Sequence, residues 1–452
     1  MVVLGSMLVS VLVNVAGLSD EHCTSSGCRE ARALLPWLVT LGTLLVVLVL
    51  ARMFGPVFAS PAVSSWLLST PADRGALLRP RVWSAATIAA LVTGFLAAAA
   101  TTLGGFGAPA IAAYSVLAAV LAVLMVALAV LGQGGRGRAV QFLVWALAAV
   151  LWSVLVLLSV GRAPLLDAPD EASGPVLAVG AGLVIATGCL VVMALRSTGR
   201  LHRRDIAAGG NLAPGLSGAL ASLDLALMYD VLLGHRWRGK GSVPSRRGGP
   251  AGASALVRKD LVRLARSPQW LVLVAASVVL PYAVGVAGGE RVAFLAAALV
   301  GFLTGLPLLS ALRVLVRSPS VLRHFPFPVA RARQATLVVP AIVLLLHGIA
   351  ITPLLHRVLE LNWSAALVCA IASGLASLAA STRWVTGKPP DFGRPLVSSP
   401  AGGVPTNLYG SALRGFDILL LTTLPVLLVP SGAAALVSIG ISLVVLVVLA
   451  DS

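Results

Sequence analysis

The chain has 452 residues, 58% of them hydrophobic and only 11% charged, with a mean hydropathy of +0.98 and a formal net charge of +17. Soluble domains are about a quarter charged, so this composition excludes a water-soluble globule; a bilayer can accommodate so much apolar surface. The basic residues punctuate apolar runs and do not gather in a soluble domain, which points away from nucleic acid and toward the bias of Lys and Arg to cytoplasmic loops. Lysine occurs only at Lys240, Lys259 and Lys388. With so much Ala, Gly and Val, that is the composition of a GC-rich, actinobacterial genome.

A spanning helix needs about 20 mostly apolar residues. Twelve stretches meet that need: 2–18, 34–54, 83–105, 108–132, 139–160, 175–195, 269–288, 292–312, 335–355, 363–381, 416–430 and 432–450. The first has no basic flank and no small-residue cleavage site, so it reads as a span and not as a removed signal peptide. With Met1 cytoplasmic, 28 of the 33 Lys and Arg residues fall in inside loops and five fall outside. That asymmetry sets the orientation and puts both termini in the cytoplasm of a bacterial plasma-membrane protein.

The first exterior loop, SDEHCTSSGCREAR, carries Cys23 and Cys28. In an oxidising space these could close a small disulfide loop, or they could remain free thiols. His22 beside them lacks the further ligands a metal would need, and no metal site is expected. Cys189 and Cys369 lie inside apolar spans, where cysteine packs as a small hydrophobe.

The central cytoplasmic segment, 196–253, begins with a helical piece from Ser217 to Leu233, stopped by Gly234. A basic Gly/Pro/Ser linker follows. Gly234, Gly239 and Lys240 imitate the spacing of a phosphate-binding loop, but Gly241 stands where Ser or Thr is needed and no strand precedes them, so no ATP site is assigned. Residues 255–267 form an amphipathic helix running into the seventh span. Val257, Leu261 and Leu264 share one face, and Lys259, Arg263 and Arg266 the opposite one. Such a helix lies at the membrane surface, its cations among anionic lipid headgroups; Arg258 and Asp260 complete its charged set.

One loop occurs twice. SPAVSSWLLSTPADR begins at Ser60-Pro61, carries Trp66 and closes on Pro71-x-x-Arg74. SPSVLRHFPFPVARAR begins at Ser318-Pro319, carries Phe325 and Pro326, and closes on Pro328-x-x-Arg331. The twelve spans divide at the central segment into two blocks of six, and the loop lies between the second and third span of each. The expected fold is therefore an all-α polytopic membrane protein in two pseudo-symmetric six-helix halves, 1–195 and 254–452, joined by 196–253. Proline restricts the loops, and Trp66 and Phe325 offer rigid anchor area.

These features resemble the membrane subunit of ABC-2 type exporters, and large uncharacterised actinobacterial permeases with two such halves fused. The resemblance rests on the leading helix Leu256–Pro268 and on the loops Trp66–Arg74 and Phe325–Arg331. It implies that the helix is an elbow helix and that the loops dock on separate cytoplasmic ATPase subunits, two copies, which would carry ATP and Mg. This chain would then hold no cofactor and no catalytic residue, and would not itself be an enzyme. The first half departs from the family pattern in having no elbow helix before its first span.

Absences in the sequence agree. None of the sixteen acids falls mid-span, whereas ion-coupled carriers place carboxylates there. His347 is the one ionisable group well inside a span, and among LLL and GI it is expected to hydrogen-bond to a neighbouring helix. Gly301-x-x-x-Gly305 would allow close helix contact. The alternatives are a twelve-span secondary carrier of a hydrophobic or amphiphilic solute and a non-transporting membrane scaffold. No residue identifies the cargo.

Overall fold

In a computed structural model of the protein, the described residues are 26–60, 62–67, 70, 73–133, 138–161, 174–202, 206, 209–210, 212–221, 228–231, 234, 249–288, 290–387, 397–399, 402–404 and 413–451. Their regular structure is helical apart from one short hairpin, β1 Val397–Ser399 paired antiparallel with β2 Gly402–Val404. Two compact units divide the chain, Met1–Gly215 and Leu216–Ser452. The boundary falls inside the predicted linker. Leu201 and Ile206 are buried in a core of the first unit, while Tyr229 packs on a core of the second.

Among the described residues nine helices are long and apolar enough to cross a membrane, ten if one bent pair is a single span. Two of the twelve expected spans are not among these. Residues 2–18 lie outside the described residues, and the helix in 416–430 has 13 residues. At 1.5 Å per residue it is about 20 Å long, short of a hydrocarbon core of about 30 Å. The span expected over 292–312 is the bent pair, broken by 61°. Pro307 explains the break: it lacks an N–H and its ring clashes with the preceding turn.

In the first unit, α1 (Ser26–Phe54) leads through a π-helical turn (Val63–Leu67) to α2 (Arg74–Leu103), α3 (Ala108–Gln133), α4 (Arg138–Ser159) and α5 (Gly174–Ser197). Asp73 caps α2 by accepting from the Gly75 N–H at 2.8 Å, satisfying one of the orphan donors of a helix start. The hub is α3, which packs on α1, α2, α4 and α5; α1 also meets α2 and α4, and α2 meets α5. By contrast α4 buries only Val140, Leu147 and Leu158 and exposes Phe142, Trp145 and Trp152. Outside lipid, so apolar a face would be an aggregation surface. A short helix, α6 (Ala213–Ala221), spans the unit boundary.

The second unit opens on α7 (Ala253–Arg266), followed by α8 (Gln269–Ser277) and α9 (Val279–Gly288). The bent pair is α10 (Glu290–Gly305) and α11 (Ser310–Arg317); then come the one-turn α12 (Pro319–Leu322), α13 (Val329–Ala350) and α14 (Thr352–Val358). The hub α15 (Trp363–Thr386) precedes α16 (Phe416–Leu428) and α17 (Gly432–Asp451). Ala, Ser and Gly dominate α15, which buries 78% of its apolar window, more than any other span. Small residues let backbones approach, and packing of this kind holds helices together in lipid, where no hydrophobic drive exists between them. The hub packs on α10, α13, α14, α16 and α17; α10 also meets α13 and α16, and α13 meets α17.

Candidate functional site

The second loop is a compact turn. Ser318 accepts through its carbonyl from Val321 N–H at 3.0 Å, opening α12, and Pro328 stands at the N-cap of α13. Phe325 and Phe327 stack with centroids 5.3 Å apart and pack, as Leu256 does, on Leu315, Leu322 and Ala332. Phe325 is thus partly buried on the apolar positions beneath it. What the loop presents to solvent is Arg323, His324, Pro326, Pro328 and Arg331.

In the first loop Ser60 also opens a helical turn, its carbonyl accepting from Ser64 N–H at 2.9 Å and its Oγ from Val63 N–H at 3.4 Å. Here the aromatic does face outward, Trp66 being 78% exposed. Arg74 is exposed at the first residue of α2. Pro61 and Pro71 lie outside the described residues, and so does the side chain of Pro319. The approach to this loop is pinned by the Gln133 side chain, which donates to Val57 O at 2.8 Å and accepts from Val57 N at 3.2 Å. Arg81 donates to Phe58 O at 2.9 Å.

Beside the second loop lies a group of charges that sequence reasoning missed. Arg313, on α11, is 3% exposed and pairs with Asp230; Arg317 reaches the same carboxylate at 3.4 Å. The Arg313 guanidinium stands 4.9 Å from the Tyr229 ring centroid and 5.3 Å from that of Trp384, contacts of the cation–π kind. Asp230, an acid within an otherwise apolar helical stretch, was the available signal.

The helix α7 sits differently from its sequence reading. Its buried face is centred on Asp260 and Leu264, and Arg263, expected on the headgroup side, turns inward. The Arg263 Nη2 donates to the Leu308 carbonyl at the break between α10 and α11, and its Nε lies 3.3 Å from Asp260 Oδ1. Packing on α13 rotates the inward face toward these two polar residues, and only the tertiary neighbours decide that. Arg258, Lys259 and Arg266 are exposed, and Leu261, 54% exposed, flanks them.

Asp260 is 1% exposed, and its Oδ2 has no hydrogen-bond partner. Burial pushes its carboxyl up to about 6, against the pull of Arg263 and Lys259. Burial likewise draws Arg263 down, opposed by Asp260 and Tyr229. A carboxyl whose folded value is raised contributes stability below its unfolded value, lost as pH rises through the folded one. Thermal unfolding of the wild type is thus expected to rise as pH falls from about 7.5 to about 5. Asp260→Asn, which has no carboxyl to titrate, should show a flatter profile over the same range. Parallel pH profiles for the two proteins would refute this.

Within the second bundle, Ser377 Oγ donates to Ala298 O at 2.9 Å and Ser381 Oγ to Phe302 O at 3.0 Å, tying α15 to α10. Gly301 and Gly305 make room: a Cβ there would come within 2.4 Å of Ser377 Oγ and 2.8 Å of Ser381 Oγ. The expected close contact at Gly301-x-x-x-Gly305 is therefore present. The expectation for His347 is not met. It is 3% exposed, and neither ring nitrogen has a hydrogen-bond partner. The nearby Ser377 hydroxyl is already engaged with backbone carbonyls.

Cys28 is disulfide-bonded, whereas Cys189 and Cys369 are free thiols; Cys23 lies outside the described residues. Among the described residues no group of three or more His, Cys, Asp or Glu side chains could hold a metal.

Residues 28–395, well over half of the chain, match a family of unknown function (DUF6297). The chain belongs to that family. The DUF6297 match runs from α1 through α15 and so takes in both loops, α7 and the Asp230–Arg313 pair. No curated protein and no solved structure matches the chain.

Proposed function

We propose that the protein is the membrane-spanning permease subunit of an ATP-driven exporter of the ABC-2 type, with two fused halves and two cytoplasmic ATPase partners. The observation that carries this reading is the common setting of the two loops. Each leaves a helix that packs on the hub of its unit and enters the helix that forms a hairpin with that hub. Aligning α1 with α10–α11, α2 with α13–α14, α3 with α15, α4 with α16 and α5 with α17, the packed pairs named above recur. A duplicated half accounts for that recurrence. The loops would transmit ATPase closure to the bundles and so drive alternating access in the plasma membrane.

Co-purification tests this. The protein is expected to bring down an ATP-binding-cassette subunit, and replacing Pro328 and Arg331, or Pro71 and Arg74, should lose the complex and its stimulated ATP hydrolysis. If those variants keep both, the coupling role is wrong. A secondary carrier is the second reading, favoured by the unpartnered imidazole of His347. Vesicle transport driven by an ion gradient without ATP would select it.

A further inference from the structure

We propose that α7 is a lever between anionic lipid and the break in the bent span: lipid headgroups held by Arg258, Lys259 and Arg266 keep Arg263 on the Leu308 carbonyl. The proposal rests on reading α7 as an interfacial helix and adds what its inward face does there.

Three observations carry it. The outward face exposes Arg258, Lys259 and Arg266, and the one acid of the helix, Asp260, is turned inward and buried. Leu261 is exposed beside them. A cationic strip flanked by an apolar residue suits the boundary between headgroups and acyl chains better than an acidic protein surface, which would leave the leucine against a charged neighbour. Arg263, on the same rigid 14-residue helix, reaches Leu308, 45 residues away in sequence, at the 61° bend between α10 and α11. Beyond that bend α11 leads through Ser318 directly into the second loop.

A ligand shifts an equilibrium only through its differential affinity for the two states. Docked α7 places its three exposed cations together on one side, and an anionic leaflet favours that placement by about fivefold per cation. Lipid charge therefore stabilises the docked helix, and with it the Arg263 contact and the bend.

Hydrogen–deuterium exchange of the whole protein in nanodiscs tests the lever. Discs of phosphatidylcholine alone are compared with discs that also contain phosphatidylglycerol. The anionic discs should slow exchange both in α7 and across Gly305–Arg313, the latter by about fivefold or more. Arg258→Gln/Lys259→Gln/Arg266→Gln should remove both effects. Arg263→Gln should keep the effect on α7 and lose that at the bend. Protection of α7 without any change at Gly305–Arg313 in the wild type overturns the lever and leaves the interfacial helix standing. No protection of α7 overturns both. Equal protection of α7 in neutral discs by added polyglutamate overturns the assignment to lipid.

Discussion

Gly348→Ala is expected to destabilise the second unit by about 3 kcal/mol, at the upper end of what overpacking costs. At this point α13 and α15 touch backbone to backbone. A Cβ on Gly348 would lie 2.3 Å from Ala370 O, and one on Gly374 would lie 2.7 Å from Leu344 O. Neither obstacle is the end of a flexible side chain; both are carbonyls of the opposing helix, so relief requires the two helices to separate. Separation would loosen the neighbouring Ser377 and Ser381 bonds to α10, which register the hub against a third helix. Gly440→Ala is the control: it lies in α17 of the same unit, a Cβ there would meet nothing within 4 Å, and helix propensity favours alanine by roughly 0.5–1 kcal/mol. Denaturation in detergent should separate Gly348→Ala and Gly374→Ala from Gly440→Ala. Similar midpoints for all three would mean that the α13–α15 contact is looser than described.

The second large effect is expected at Arg313. Its guanidinium is almost fully buried, and the Asp230 carboxylate, about a third exposed, is its ion-pair partner. Removing one member of a buried pair leaves the other charge uncompensated, a loss of about 3–5 kcal/mol. Asp230→Ala should fall at the lower end, because water reaches that side of the pair and the Tyr229 and Trp384 rings remain over the cation. Arg313→Met keeps an apolar stem of similar length and should cost less. In that background Asp230→Ala should cost much less, since only the partly exposed Arg317 then loses a partner. A double-mutant cycle reads the difference directly. If the two single losses simply add, the Asp230–Arg313 pair contributes nothing to stability.

Much of the architecture was legible because membrane helices announce themselves by length and hydropathy alone. Every predicted span from 34–54 onward has a helix in it, and the exceptions are instructive. The break at Gly305–Ser310 was written in Pro307, yet a sliding apolar window passes over one proline. The shortness of α16 depends on where Gly415 and Val429 end it, which hydropathy does not register. The loops were read in the sequence as a repeat, and each begins with a helical turn, at Ser60 and at Ser318. Which aromatic faces out could not be read: Trp66 and Phe325 occupy similar places in the pattern, but Leu315, Leu322 and Ala332 lie under only the second.

The inward charges show the same limit. A helical wheel sorted Arg263 with Lys259 and Arg266, because sequence spacing reports which residues share a face and not which face meets the protein. Asp230 and Arg313 are 83 residues apart, and no local pattern joins them.

The amino-acid sequence alone determined that this chain belongs in a bilayer, where its helices lie along the chain and where its loops are basic. Those properties follow from transfer free energies summed over neighbouring residues, so they are local. Only the tertiary structure decided which polar groups are turned inward, which are left without partners and where a span bends. Those outcomes depend on the few distant atoms each group meets, and in an apolar medium a single such meeting outweighs the propensity of the whole segment around it.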